Sequence, residues 1–295
     1  MKILALDVGG TSLKCCLVSP EGQVENLNKY AYGENAGSRE VIDIICNALD
    51  TYEDYAGVAV STTGQPDANG VIVYASDNIP GYRGTRLKEL IEVHTGKSAC
   101  VLRDAFAMAW GEKAYGAGLK YQDFVCLTYG SGVGGAMVIN GVPYTGYSLS
   151  AGQLGHMITH ADGKLCQCGK KGCYEAYASA KALEERAQDI TGRKMSGYEI
   201  VEGYLRGDAD LCRCLTEWMN EVIYGIVSIV HLLNPTCVVL GGGIMEQKNI
   251  VEFIRENVYN KMIDASRNFD IVQAHSGNTI NLLGCAYCAK ITWGW

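Results

Sequence analysis

The sequence predicts an α/β protein of two lobes, each built around its own sheet. Three observations carry this expectation. Apolar runs of strand character alternate with segments of helical spacing along the whole chain. The strand and glycine turn Leu6-Asp7-Val8-Gly9-Gly10-Thr11 has a counterpart about 120 residues later, where a strand runs into Gly130-Ser131-Gly132-Val133-Gly134-Gly135, the mark of a duplicated architecture. The chain has 295 residues, more than one domain commonly uses.

The elements follow in order. Residues 2–8 are an apolar strand, the Gly9–Thr11 turn breaks it, and 13–18 and 23–30 read as strands two and three. Residues 38–50 place apolar side chains at 41, 42, 44, 45 and 49, a helix with Ser38 as its cap. A buried strand at 56–61 leads into Thr62-Thr63-Gly64-Gln65-Pro66. A helix at 85–95 with a threonine cap, a strand at 98–103 and a helix from Asp104 to 115 close the first lobe. The second lobe opens with a strand at 123–129, the Gly130–Gly135 turn and a strand at 136–139. Helices are expected at 175–190, 196–206 and 208–233, the last ending at Asn234-Pro235. The strand Cys237–Leu240 runs into Gly241-Gly242-Gly243. A helix at 248–263, a short strand near 270 and a C-terminal helix at about 277–291 complete the chain. The expected division is 1–118 for a small N-terminal lobe, joined by the C-terminal helix at 277–295, and 119–276 for a larger lobe.

Composition narrows the function classes. Hydrophobic residues make up 48% and charged residues 19%, enough apolar side chain for a large core. The net charge of −7 and the absence of a basic run argue against a nucleic-acid partner. No apolar stretch approaches the ~18 residues of a membrane span. The N-terminus lacks the pattern of a secretory signal. A cytoplasmic protein is therefore expected, with its thirteen cysteines reduced.

Three glycine-rich turns stand at strand C-termini, where ligands of open α/β sheets gather. In the first, Gly9 and Gly10 let the backbone approach an oxyanion, Thr11 adds a hydroxyl, Lys14 adds charge and Asp7 can hold Mg²⁺ directly or through water. Taken alone, the same turn also reads as a plain tight hairpin. The second turn, Gly130-Ser131-Gly132-Val133-Gly134-Gly135, is neither a Walker A loop nor a dinucleotide fingerprint, because it lacks Gly-Lys-Ser/Thr and a strand follows it. Together with Gly241-Gly242-Gly243, these turns point to a shared nucleotide cleft. A different chemistry is written in His156, Cys166, Cys168 and Cys173, four soft ligands within 18 residues. One histidine and three thiolates make a closed tetrahedral set, typical of structural Zn²⁺. His160 competes with His156 for the histidine position.

These features resemble the ROK family of sugar kinases and sugar-responsive repressors. The resemblance rests on DVGGTSLK, STTGQP, DNIPGY, the position of Asp104, GSGVGG, QLGH with CQCGKKGCYE, and LNPTCVVLGGG. It implies the two-lobed actin-like ATPase fold of the hexokinase/ribonuclease H-like type, with sugar and ATP in a cleft between the lobes. It also implies ATP-dependent phosphorylation of a sugar hydroxyl, with Asp104 as general base; Asp104 reads equally well as the cap of helix 105–115. Gly64, Asn78, His156 and Glu175 match sugar-contacting positions, Gln153 and Arg103 stand at sugar-facing positions without matching the family residue, and a homodimer is common in the family. The first strand begins at residue 3, so no DNA-binding segment ahead of it is expected.

Two departures bear on the substrate. The family's Glu-Asn-Asp-x-Asn stands here as Leu102-Arg103-Asp104-Ala105-Phe106, and the family's glutamate before Gly-His is Gln153. Arg103 either pairs with a carboxylate or phosphate on a modified sugar or points to solvent from the strand end. Phe106 is placed to stack on a sugar face. An active kinase is the expectation, with a sugar- or nucleotide-binding sensor as the alternative and an actin-type scaffold as a third class.

Overall fold

The structure, a computed structural model, describes residues 1–33, 36–75, 78–275 and 279–295. The chain runs through β1 (Lys2–Val8), β2 (Ser12–Val18), β3 (Val24–Ala31), α1 (Ser38–Leu49), β4 (Tyr55–Thr62), β5 (Gln65–Pro66), β6 (Ile72–Tyr74), α2 (Leu87–Thr95), β7 (Ala99–Arg103) and α3 (Asp104–Tyr115). It continues with β8 (Phe124–Tyr129), β9 (Val133–Ile139), β10 (Val142–Pro143), α4 (Glu175–Ala178), α5 (Ala180–Thr191), α6 (Gly197–Leu205) and α7 (Ala209–Leu233). The last elements are β11 (Cys237–Gly241), α8 (Lys248–Asn257), β12 (Asp270–Gln273) and α9 (Ile280–Trp293). Two compact units result. One comprises Met1–Lys120, Val142–Ala151 and Gly277–Trp295; the other comprises Tyr121–Gly141 and Gly152–Ser276.

The first unit holds a five-stranded sheet in the order β3-β2-β1-β4-β7. β1, β2 and β3 are antiparallel neighbours, whereas β1, β4 and β7 run parallel. Both sheet faces are covered, as parallel strands demand. Val41, Ile45 and Ala48 of α1 and Leu87 and Ile91 of α2 pack on Leu4, Leu6, Val58 and Val60. On the other face Ala107 of α3 and Leu282, Cys285, Ala286 and Ala289 of α9 meet Ile3, Ala5 and Ala59. The two helices approach so closely that a Cβ on Gly284 would lie 1.7 Å from the Ala107 carbonyl oxygen. The segment 142–151 belongs to this unit because Arg103 Nη2 donates to Ala151 O at 2.9 Å and Gln65 Nε2 donates to Leu149 O at 2.8 Å.

The second unit repeats the plan. Its strands run β9-β8-β11-β12, with β9 antiparallel to β8 and the rest parallel. The 25-residue α7 supplies a stripe at helical spacing, Leu211, Leu215, Trp218, Val222, Ile226 and Ile229, all buried. Asp208 caps it by accepting from the Asp210 and Leu211 amides. Trp218 is fully buried and donates through Nε1 to Ser179 O at 2.9 Å.

Several boundaries differ from expectation. Ser38 is the first residue of α1 rather than its cap, because its amide is committed to Pro80 O at 2.8 Å. The cap of α2 is Arg86, not threonine. Asp104 is likewise the first helical residue of α3, with Arg103 in the cap position. Strand β9 starts at Val133, so Gly134 and Gly135 lie in the strand and the turn shortens to Gly130–Gly132. The 175–190 helix is two helices, broken at Ser179, whose side chain caps α5 by accepting from the Ala182 amide. The 248–263 helix ends at Asn257 and tightens into a 3₁₀ turn over Val258–Lys261. Positions 277 and 278 of the expected C-terminal helix, and Asp77 of the DNIPGY segment, lie outside the described residues. Among the described residues no helix is long and apolar enough to cross a membrane.

Candidate active site and thiol cluster

In the first unit, register brings the acidic groups to one edge. The parallel pairing of β1 with β4 sets Asp7 beside Ser61, the antiparallel pairing with β2 sets it opposite Lys14, and β4 with β7 sets Thr62 beside Arg103. The C-terminal ends of β1, β4 and β7 therefore present Asp7, Ser61 and the Arg103–Asp104 junction together. Asp7 Oδ1 accepts from Ser61 Oγ at 2.7 Å and from Asn281 Nδ2 at 3.4 Å. The turn after β1 is tight, with the Gly9 amide donating to Ser12 O at 3.0 Å and Thr11 exposed. Asn78 lies against this turn: a Cβ on Gly10 would meet its Cβ at 3.4 Å. Gly64 occupies the β4–β5 turn at φ +84°.

Asp104 stands where β7 becomes α3. Its Oδ1 accepts from the Ala105 amide at 2.7 Å. The residue keeps an exposed surface, yet protein crowds it closely. The exposed surface is what a reactant can reach; the crowding strips bulk water from the charge. Burial therefore pushes the carboxyl up to about 6, against the opposing pull of Arg103 and the Ala105 amide, and the Asp7 charge pushes the same way as burial.

Arg103 does not point to solvent. It is 6% exposed, its guanidinium lies over the Phe106 ring at 4.6 Å and it donates to Ala151 O. Phe106 is 4% exposed and covered by that guanidinium, so its ring offers no face for stacking on a sugar. The pair forms a supporting wall behind Asp104. Residue spacing could not reveal this, because Ala151 is 48 residues away.

The second unit gathers the glycine turn and the thiols around Glu175. The Gly130 amide donates to Gly132 O at 3.0 Å, and Gly130 and Ser131 are exposed. Glu175 Oε2 accepts from the Val133 amide at 3.2 Å, and a Cβ on Gly132 would sit 2.6 Å from the same oxygen. Only glycine at 132 lets the carboxylate reach the turn. Oε1 of Glu175 accepts from Cys166 Sγ at 2.9 Å. Gln153 is exposed, and its carbonyl accepts from the His156 amide in the short turn that carries His156. At the end of β11, Gly241 is buried and pairs with Thr128, Gly242 takes φ +96°, and Gly243 is exposed.

Ligand atoms of His156, Cys166, Cys168 and Cys173 all lie within 4.8 Å of one another. Cys168 Sγ is 3.6 Å from Cys173 Sγ, and Cys166 Sγ is 3.9 Å from His156 Nδ1. A tetrahedron with bonds of about 2.3 Å has edges of about 3.8 Å, so the spacing of the set is compatible with Zn²⁺. Burial and the Glu175 carboxylate push the Cys166 thiol well up; a divalent cation reverses that balance. His160 is elsewhere. Its ring stacks on Tyr177 with centroids 3.8 Å apart, and Nε2 lies 3.7 Å from Glu221 Oε2. Of the two histidines, His156 is the one whose ring nitrogen converges with the three thiols.

Sequence reasoning passed over Ser61 and Asn281. Ser61 lies within STTGQP, but only the register with β1 reveals its partner, and Asn281 reaches Asp7 across 274 residues.

Two sheets of matching order, each a hairpin continued by parallel strands and each ending in glycine turns, define the two-lobed actin-like ATPase fold. The chain belongs to the ROK family, whose sequence profile matches residues 3–291. It is 30% identical to a β-glucoside kinase of Listeria monocytogenes over 292 residues, covering 97% of each chain. It superposes on the ROK hexokinase of Thermus thermophilus with a TM-score of 0.87 at 27% identity, covering 100% of this chain and 99% of that one. It superposes on a ROK family glucokinase of Streptomyces griseus, solved with glucose and AMPPNP, with a TM-score of 0.86 at 26% identity, covering 97% and 98%.

Proposed function

We propose that this protein is an ATP-dependent sugar kinase in which Asp104 is the general base. The observation that carries the reading is the state of that carboxylate: reachable, dehydrated, and set at the same strand ends as Asp7 and the first glycine turn. A base held near 6 is ionised at neutral pH yet basic enough to receive a proton. Asp104 takes the proton from a sugar hydroxyl as that oxygen bonds to the γ-phosphorus, and the bond from γ-phosphorus to the β,γ-bridging oxygen breaks to release ADP. Family membership and the kinase names of the relatives support the reaction class.

The remaining residues position the reactants. The Gly9-Gly10-Thr11 turn with Lys14, the Gly130-Ser131-Gly132 turn leading to Gly134, and Gly241-Gly242-Gly243 bind the nucleotide, their lack of side chains letting the backbone come close to it. Asp7 holds Mg²⁺; its Oδ2 takes no hydrogen bond among the described residues and is a hard oxygen donor. Bound Mg²⁺ supplies charge neutralisation on the phosphates. Gly64, Asn78, Gln153, His156 and Glu175 contact the sugar, with Arg103 shaping the wall behind the base. Zn²⁺ held by His156, Cys166, Cys168 and Cys173 orders the 156–173 loop and leaves no open coordination position for chemistry. None of the thirteen cysteines is in a disulfide, the state a reducing cytoplasm maintains. A homodimer belongs to this reading as well, and sedimentation tests it.

The test is ADP release from Mg-ATP against a panel of hexoses, N-acetylhexosamines, β-glucosides and uronic acids, run beside Asp104→Asn. Turnover on one sugar, lost in the variant without loss of folding, is the expected result. Sugar binding without turnover anywhere in the panel would replace the kinase with a sensor.

A further inference from the structure

Asp7 is held in an asymmetric way. Its Oδ1 receives two donors, Ser61 Oγ at 2.7 Å and Asn281 Nδ2 at 3.4 Å. Its Oδ2 receives none among the described residues, and the residue is only partly buried. The donors come from different elements. Ser61 lies on β4, is 0% exposed, and sits in register with Asp7. Asn281 lies in the first turn of α9, a helix packed across the same sheet.

A buried serine hydroxyl needs a partner, and Asp7 is the one acceptor its geometry gives. Two donors on one oxygen fix the carboxylate plane and leave the other oxygen pointed at whatever binds there. Most side-chain hydrogen bonds in proteins go to backbone or water. This one is spent on a side chain at the candidate phosphate turn.

We propose that Ser61 and Asn281 are positioning residues: by donating to Oδ1 of Asp7, they orient its Oδ2 toward the divalent cation of the bound nucleotide. This rests on the kinase reading for its consequence in turnover, but its geometry belongs to Asp7 alone. Neither residue touches a reacting atom in this account. Their effect runs through the placement of one carboxylate.

The experiment compares the wild-type chain with Ser61→Ala, Ser61→Thr and Asn281→Ala. The first reading is Mn²⁺ binding in the presence of a non-hydrolysable ATP analogue, followed by electron paramagnetic resonance, which requires no activity. Ser61→Ala removes one charge-assisted hydrogen bond and is expected to weaken Mn²⁺ binding about tenfold. Ser61→Thr retains the hydroxyl and restores most of the affinity. Asn281→Ala, losing the longer bond, gives a smaller loss of about threefold. The second reading is steady-state kinetics on the best sugar: the apparent KM for Mg²⁺ rises while the KM for sugar stays put. Thermal melting without metal checks that each variant folds. Unchanged Mn²⁺ affinity in a folded Ser61→Ala overturns the proposal, as does a parallel loss of metal and sugar affinity. If the wild type binds Mn²⁺-nucleotide but phosphorylates no sugar, the kinase reading fails and the Mn²⁺ comparison still decides the role of Ser61. Should Ser61→Ala not fold, Asn281→Ala and Ser61→Thr carry the same comparison.

Discussion

The Asp104 carboxyl, held at about 6, sets the pH dependence of the proposed reaction. Its ordinary value is near 3.8, and burial is the main cause of the rise. With an apparent value of about 6, roughly 9% of the base is ionised at pH 5, about 50% at pH 6 and about 91% at pH 7. The kcat/KM should therefore climb about tenfold from pH 5 to pH 7 and level off above. An ordinary aspartate would already be more than about 90% ionised at pH 5 and would give a flat profile. ADP measured directly by chromatography avoids the pH sensitivity of coupling enzymes. Asp104→Asn should lower kcat by about 10²–10⁴-fold and remove the acidic limb from what remains. The stability sign is also fixed. A carboxyl raised in the folded state binds its proton more tightly there, so its contribution turns unfavourable as pH rises from about 4 to about 6. Asp104→Asn, which keeps an acceptor for the Ala105 amide, should raise Tm at pH 7 and have no such effect below pH 4. A flat kcat/KM between pH 5 and 7, or an Asn variant with near-normal turnover, would refute the reasoning.

Three further outcomes follow from the geometry. Elemental analysis should find one zinc per chain, retained by Cys212→Ser and lost in Cys168→Ser; chelation should expose the 156–173 loop to protease, and because the thiols must lose protons, metal affinity should fall as pH drops. Gly242→Ala should destabilise the protein by roughly 2 kcal/mol or more in denaturant unfolding, because φ is +96° and a Cβ would meet the Tyr129 carbonyl oxygen at 2.2 Å. Trp218→Ala should cost about 3–5 kcal/mol by the same measure, since it empties a fully buried ring site and removes one of the two donors to the Ser179 carbonyl.

Much of the architecture was legible because strands and helices carry their own periodicities. The β1–β2 hairpin, the long α7 with its stripe through Trp218, and the three glycine turns can all be read locally. The His156–Cys173 set was legible for a similar reason: four ligands close in sequence, with glycines between them, have few ways to wrap. Boundaries failed where a tertiary hydrogen bond intervened. Ser179 is extended and caps α5 through its hydroxyl while its carbonyl takes Trp218 Nε1 beside the Leu183 amide, and Ser38 is inside α1 with its amide on Pro80 O.

The sequence by itself determined the alternation of elements, the duplication and the thiol cluster, since each is written in neighbouring residues, and family resemblance alone pointed to Asp104 as the proposed base. The tertiary structure alone decided what Arg103 and Phe106 do, and it turned both inward onto each other and onto Ala151. It alone assigned 142–151 to the first unit, set Glu175 between the glycine turn and Cys166, and placed Ser61 and Asn281 on Asp7. These are contacts between residues up to 274 positions apart, and strand register and helix packing create them. Local propensity carries no information about which distant donor meets which acceptor; only closing the sheets and burying their faces makes that choice.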